Sequence, residues 1–420
     1  MFLAANERPI RRVAMISVHG CPVALPGMRT AGGMNVYLRQ LAPMLAEEGV
    51  CIDIFTRSHE VGGPEIVELG PRARIVHIPA GAPYVEKDEI FGYLPEFTER
   101  LARFVAEEGV GYDLIHSHYW FSGWVGQRLA SEWAVPHIVT FHTLSLVKQR
   151  ASGSQEPPER EVVEQEVATS ADCVVAFTTD EVDALADMYG VAPERIQVVP
   201  GGVDLDRFQQ RDKTTARQRL GFQPHDQIML YVGRLDPFKG PEVLLRTLHA
   251  MRGTPGAFLE FVGGEGDADP EAKRLNRLAQ ELGIADRVRW QSAVPQDELV
   301  DYYNAADVCV VPSYHESFGL AALEAMACGS PVVASRVGAL KSLVVEGQTG
   351  CLVFPVAPEA FAPCLEELLT NEELRHRLGE GARKRATEFP WDQVVARQLG
   401  IYGRLASQVE RRPEVVPYLS

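Results

Sequence analysis

The sequence lacks any run of about twenty apolar residues, the length a membrane-spanning helix needs. It also lacks a Cys-x-x-Cys pair, although it has seven cysteines: Cys21, Cys51, Cys173, Cys309, Cys328, Cys351 and Cys364. Cys51, Cys173 and Cys309 lie inside apolar runs, where a thiol packs as a small hydrophobe. Free thiols in a reducing compartment follow, and disulfides are not expected. Residues 1–10 carry no long apolar region after their charges, which argues against a secretory signal. A cytoplasmic location is expected. Positive charge is in the minority: 41 Lys and Arg against 57 Asp and Glu give a formal net charge of −16. Such a field disfavours nucleic acid and anionic membrane surfaces as partners. It does not exclude a phosphate ligand, because local basic groups dominate within a Debye length. Low-complexity segments and an obvious internal repeat are missing too. So is a metal set: His116 and His118 share one face of a strand, but no nearby Cys or carboxylate completes them, and no metal is assigned.

What is present is a chain of 420 residues, long enough for two or three domains, with the 46% hydrophobic and 23% charged balance of a folded protein. Residues 10–18 read as a strand, followed by a Pro/Gly loop that ends in Gly32-Gly33. Val36, Leu38, Leu41, Met44 and Leu45 then make an apolar helical stripe, stopped by Gly49, before a strand at residues 50–55. Glycines at a helix start let the backbone approach a ligand, and the helix N-terminus favours an anion. The pair does not extend to G-x-G-x-x-G or to a Walker P-loop, so a nicotinamide reading is not favoured.

Alternation continues with strands at 73–78, 113–119 and 137–141 and helices at 96–108 and 120–133, with Lys87 on a loop. In a parallel sheet, His19, His118, Tyr119, His142 and Thr143 would leave strand ends towards one crevice. Residues 152–158 read as a flexible polar segment, a candidate lid, before a helix at 159–168. A domain boundary is expected near Phe208, and a second α/β series runs from residue 228 to a last helix at 391–407.

In that second series, the strand at 228–233 runs into Gly233-Arg234, and Lys239 stands just before the next helix. A fork-shaped guanidinium and a compact ammonium at a strand exit suit a diphosphate. Gly263-Gly264-Glu265-Gly266 follows the next strand. Further on, the run Val308-Cys309-Val310-Val311 leads through Pro312-Ser313 to a loop carrying Glu316 and a helix carrying Glu324. Beside free helix N–H groups, the two carboxylates could hold a polyhydroxylated ligand. Each feature alone fits an ordinary solvated surface. Together they line one rim.

In this order, the segments 31–36, Gly233-Arg234 with Lys239, the Glu316/Glu324 pair and residues 327–334 resemble the retaining GT-B glycosyltransferases of family 4, over nearly the whole chain. The resemblance implies an α/β fold of two Rossmann-like, doubly wound domains facing a deep cleft. Residues 1–208 would bind the acceptor and 209–390 the nucleotide sugar. Residues 391–420 would be a C-terminal helix packing back on the first domain, with a frayed tail. It implies that Arg234, Lys239 and Gly33 meet the donor diphosphate. Glu316, with the backbone of Phe318, Gly319 and Leu320, and His142 would hold the donor sugar, and Glu324 the ribose.

Within the family, the chain is most similar to the mycothiol-pathway branch, which joins N-acetylglucosamine from its UDP donor to 1D-myo-inositol 3-phosphate. On that resemblance Lys87, Tyr119, Thr143 and Arg160 would form the acceptor's phosphate pocket, and His19 and Asn35 would touch its ring. Thr30 and Leu25 depart from the branch's pattern, which keeps fructose 6-phosphate open as acceptor, as in sucrose-phosphate synthases. A sugar-nucleotide epimerase and a non-catalytic nucleotide-sugar sensor are the other readings. No cofactor is required; Mg²⁺ could assist without being essential. The partners are a nucleotide sugar and a small phosphorylated acceptor, and the oligomeric state stays open between monomer and homodimer.

Overall fold

The computed structural model describes residues 10–27, 31–58, 65–83, 85–251, 253–266 and 269–409. The readings of residues 1–9, of Thr30 and of the tail from residue 410 lie outside them. Near-continuous apolar runs become strands buried on both faces. Strands β1 (Arg12–Ile16), β2 (Cys51–Arg57), β3 (Ile66–Gly70), β4 (Ala73–Ile78), β5 (Leu114–His118), β6 (His137–Thr140), β7 (Cys173–Ala176) and β8 (Ile196–Val198) form one eight-stranded sheet. Its order is β3-β4-β2-β1-β5-β6-β7-β8, parallel throughout except for the antiparallel edge pair β3–β4. Strands β9 (Gln227–Val232), β10 (Ala257–Val262), β11 (Val288–Gln291), β12 (Val308–Val311), β13 (Val332–Ser335) and β14 (Gly350–Val353) form a six-stranded parallel sheet, ordered β11-β10-β9-β12-β13-β14.

In each sheet the winding reverses beside the first strand, between β1 and β5 and between β9 and β12. Such a switch point leaves a crevice beyond the strands' carboxyl ends. The segments that follow β1, β4, β5, β6, β9 and β12 are the ones carrying the candidate site residues. The helix Gly33–Glu47 lays Leu38, Leu41 and Leu45 fully buried into the core. Each such side chain contributes about 1.5–3 kcal/mol.

Several elements were not anticipated. β3 is a half-exposed edge strand. The helices Ser145–Ser152 and Lys213–Leu220 carry little apolar surface. Lys87, expected on a loop, instead opens a short 3-10 helix, Lys87–Tyr93, where the Glu89 carboxylate accepts from the Glu86 backbone N–H at 3.1 Å.

The chain leaves the first sheet at Val198 and enters the second at Gln227. After the second sheet, the helix Trp391–Val409 returns to the first. Trp391 packs on Tyr37 with ring centroids 5.5 Å apart, Tyr402 Oη lies 2.8 Å from His116 Nδ1, and Arg404 reaches Gln197 at 2.9 Å. The two crossings touch: Val203 bridges Pro390, and its N–H donates to Phe389 O at 2.9 Å. No helix among the described residues is long and apolar enough to cross a membrane.

Candidate active site

A cleft of about 300 Å³ lies between the two sheets' switch points. Every residue assigned above to donor or acceptor lines it: His19, Gly33, Asn35, Lys87, Tyr119, His142, Thr143, Arg160, Arg234, Lys239, Glu316, Phe318, Gly319, Leu320 and Glu324. The domains meet across it. Ser317 Oγ donates to the carbonyl of His142, and Gly264 N–H donates to Gly27 O at 2.9 Å. A Cβ built on Gly33 would come within 3.4 Å of Leu320 Cδ1, and one on Gly32 within 3.4 Å of Arg234 Nε. The glycine pair thus lies in van der Waals reach of the opposing lobe.

On the second-domain wall, Asp236 caps the short turn Pro237–Lys239, its carboxylate accepting from Phe238 N–H at 2.9 Å. Lys239 then reaches Glu316, Nζ to Oε2 2.8 Å, and Ser313 Oγ adds a bond to the same oxygen at 3.2 Å. Burial pushes the Glu316 carboxyl up, but the Lys239 ammonium outweighs it and the carboxyl stays below its ordinary range. Glu324 is placed differently. Its carboxylate accepts from Tyr303 Oη at 2.8 Å and from Gln296 Nε2 at 3.1 Å, with no cation bound to it. Burial dominates, and the group is pushed up to about 7. The two glutamates, alike in sequence, are an ionised carboxylate beside an ammonium and a carboxyl that titrates near neutrality.

On the first-domain wall, Tyr119 stands at φ 78° and ψ 161°, a region close to glycine-only. Strain of about 1–3 kcal/mol is held there by the β-ladder and the helix that follows: Tyr119 N–H donates to Thr140 O, and its carbonyl accepts from Gly123 N–H, both at 2.9 Å. The turn aims the ring between two cations, with Lys87 Nζ 4.6 Å from its centroid and the Arg160 guanidinium 4.9 Å away. Burial would raise the phenol, but Lys87 and Arg160 outweigh it and lower it. Arg160 is fixed by Glu164 (2.7 Å), Glu156 (2.6 Å) and both the carbonyl and the hydroxyl of Thr143 (2.9 and 3.1 Å). His19 packs on Tyr119 with ring centroids 4.4 Å apart. Asn35 lines the cleft, yet its amide is engaged in holding the glycine loop: it donates to Cys21 O at 2.7 Å and accepts from Gly32 N–H at 3.1 Å.

His142 is the second strained residue, at φ 61°. Its ring is pinned from behind, Nε2 lying 3.0 Å from His118 Nδ1. Here one expectation is corrected. His118 does not face the crevice; it is fully buried behind His142, because a strand's alternation turns His116 and His118 inward and Tyr119 out. Burial pushes His142 down to about 3 and His118 well below its ordinary value, so both rings are neutral. His118 Nε2 is buried without a partner. Between the two neutral rings one nitrogen donates and the other accepts.

In the segment read as a candidate lid, Glu156 bridges Lys148 Nζ and Arg160 Nη1, each at 2.6 Å. Lys148 also lies 5.5 Å from the Phe238 ring of the second domain. Lys148, Gln296 and Ser317 line the cleft and were missed from sequence, as was Tyr303 behind Glu324. A second recess of about 260 Å³ opens behind the His142–Ser317 contact, but Asp180, Asp183 and Asp187 line it, a poor setting for phosphates.

Two doubly wound parallel-sheet domains, with cations and carboxylates gathered at their facing switch points, define a GT-B glycosyltransferase. Comparison with known proteins agrees. Residues 32–202 match the model of the glycosyl transferase 4-like domain, and residues 212–385 that of glycosyl transferases group 1. The D-inositol 3-phosphate glycosyltransferase of Geodermatophilus obscurus is 42% identical, covering 97% of this chain and 93% of its own. That of Corynebacterium jeikeium is 43% identical, covering 96% and 99%. Among solved structures, sucrose-phosphate synthase from Thermosynechococcus elongatus superposes with a TM-score of 0.89 at 35% identity, over 95% of this chain and all (100%) of its own. The chain belongs to the family-4 GT-B glycosyltransferases and is a hexosyltransferase enzyme.

Proposed function

We propose that the enzyme moves a hexose, with retention of anomeric configuration, from a UDP-sugar to a small phosphorylated polyol, 1D-myo-inositol 3-phosphate above all. The donor we assign is UDP-N-acetylglucosamine or UDP-glucose. One observation carries the reading: a cation pair on the second domain, Arg234 and Lys239, shares a single cleft with Lys87, Tyr119, Thr143 and Arg160 on the first. The first set suits a diphosphate and the second a phosphomonoester, and the gap between them is where a sugar would pass. The relatives' names add support for the inositol phosphate acceptor.

In this reading the bond from the anomeric carbon to the diphosphate breaks, and an acceptor hydroxyl attacks from the same face. The departing phosphate oxygen takes the hydroxyl proton. Arg234 and Lys239 stabilise the charge that collects on the diphosphate, without need of a metal. Glu316, the backbone around Gly319 and the neutral His142 orient the sugar, and Glu324 the ribose. Turnover unchanged by a chelator tests the metal-free assignment.

The superposition on sucrose-phosphate synthase favours a second acceptor, fructose 6-phosphate. An activity matrix of UDP-N-acetylglucosamine and UDP-glucose against inositol 3-phosphate, free inositol and fructose 6-phosphate decides between them. Equal turnover of free inositol and its phosphate would refute the phosphomonoester reading. A donor-only incubation that gave an epimer, or tight donor binding with no product, would replace transfer by epimerisation or sensing.

A further inference from the structure

Glu156 bridges two cations that line the cleft, one of which, Arg160, belongs to the proposed phosphate pocket. The two Glu156 oxygens take Lys148 Nζ and Arg160 Nη1, each at 2.6 Å, in the bridging arrangement two phosphate oxygens would adopt. The carboxylate is 8% exposed and has little water to compensate it. Burial works against its ionisation, yet Lys148 and Arg160 hold it below the ordinary range. Arg160 has almost no donor left over, since Glu164 and Thr143 take the rest of its fork. A phosphate drawn to Lys148 and Arg160 while Glu156 stays would meet a like charge already seated on both cations.

The charges lead the same way. Lys148 and Arg160 pair with Glu156 and Glu164, while Lys87, over the Tyr119 ring that Arg160 also faces, leaves one positive charge of this group uncompensated. With Glu156 displaced the excess becomes two, the match for a phosphomonoester dianion. Displacement is local. Glu156 lies in the link between the helices Ser145–Ser152 and Pro158–Ser170, whereas Glu164 is bonded to Ser145 and Tyr189 and stays.

We propose that Glu156 is an internal surrogate for the acceptor's phosphate, a specificity-determining residue that surrenders Lys148 and Arg160 to a dianion. The inference rests on the phosphomonoester reading above. Inorganic phosphate is the probe, titrated calorimetrically at about pH 8 into the full chain, wild type and Glu156→Gln. The variant keeps size and removes the charge, and phosphate should bind roughly tenfold more tightly to it, the scale of one partly buried charge contact. Hydrogen exchange at residues 153–157 of the wild type should quicken when phosphate is added. Phosphate that binds the wild type but binds Glu156→Gln equally or less well, or slower exchange in that segment, overturns the surrogate role alone. Phosphate that binds neither protein overturns the phosphomonoester reading and this inference with it.

Discussion

Replacing Lys239 by alanine separates the chemistry of the leaving group from the recognition of the acceptor. Its ammonium lies 2.8 Å from Glu316, with side chains 27% and 15% exposed. Two effects follow. Loss of a positioned donor to a developing oxyanion costs about 10²–10³ in turnover, or about 2.7–4 kcal/mol. Glu316 also loses its counter-charge, and burial, the largest influence on it, is left to raise its pKa. In the wild type the folded value is depressed. The pair's stabilisation is thus present above the unfolded value and lost as pH falls through the folded one. In Lys239→Ala the folded value is raised, so the variant loses stability as pH rises. The melting difference between the two proteins should widen as pH rises through the ordinary carboxylate range, about pH 4–5, and adding Glu316→Gln to the variant should remove the widening. Because both side chains are part-exposed, the stability term is discounted to about 1 kcal/mol. Steady-state kinetics with donor and acceptor varied separately supply the decisive reading. If kcat falls less than about tenfold, or the acceptor KM rises as steeply as kcat falls, Lys239 does not act at the leaving diphosphate.

Arg160→Ala should raise the acceptor KM by about 10- to 100-fold, the loss of one charge-assisted contact, and leave the donor KM in place; an unchanged acceptor KM removes the phosphate pocket. Burial pushes Glu324 up to about 7, and in the proposed reading ribose hydroxyls donate to its ionised form. The donor KM should therefore climb as pH drops below about 7 in the wild type and stay flat in Glu324→Gln. Gly240→Ala puts a Cβ 2.3 Å from Pro312 O at a residue with φ +72°. Urea unfolding should show a loss of about 1–3 kcal/mol or more, with weaker donor binding, since Pro312 leads into the Glu316 loop.

The cleft's walls were legible because strand exits can be read from apolar runs. The run Val308–Val311 ends in the Pro-Ser turn, and the loop beyond it holds Glu316. The stripe of Val36, Leu38, Leu41 and Leu45 marked the helix behind the glycine pair. What escaped lacked that pattern. The helix Ser145–Ser152 buries only Ser145 and is held by Glu164 on that serine and Glu156 on Lys148, so no periodicity announced it or Lys148. β3 is a half-exposed edge, and Tyr303 and Gln296 lie on a helix whose pattern says only which face is buried. His118 was misassigned because His118 and Tyr119 were both sent to the crevice, whereas neighbouring residues at a strand end turn to opposite faces. The left-handed turn at Tyr119 is invisible in composition.

The touching crossings at Val203 and Pro390 constrain how the lobes can move. Two covalent links lying side by side act as a pair of pins on one axis, so the domains can swing about that line but resist sliding past each other. A swing of that kind separates Ser317 from the His142 carbonyl and Arg234 from the glycine pair together. Each wall would keep its own residues through such a swing, Arg234, Lys239, Glu316 and Glu324 on one side and Lys87, Tyr119, Thr143 and Arg160 on the other.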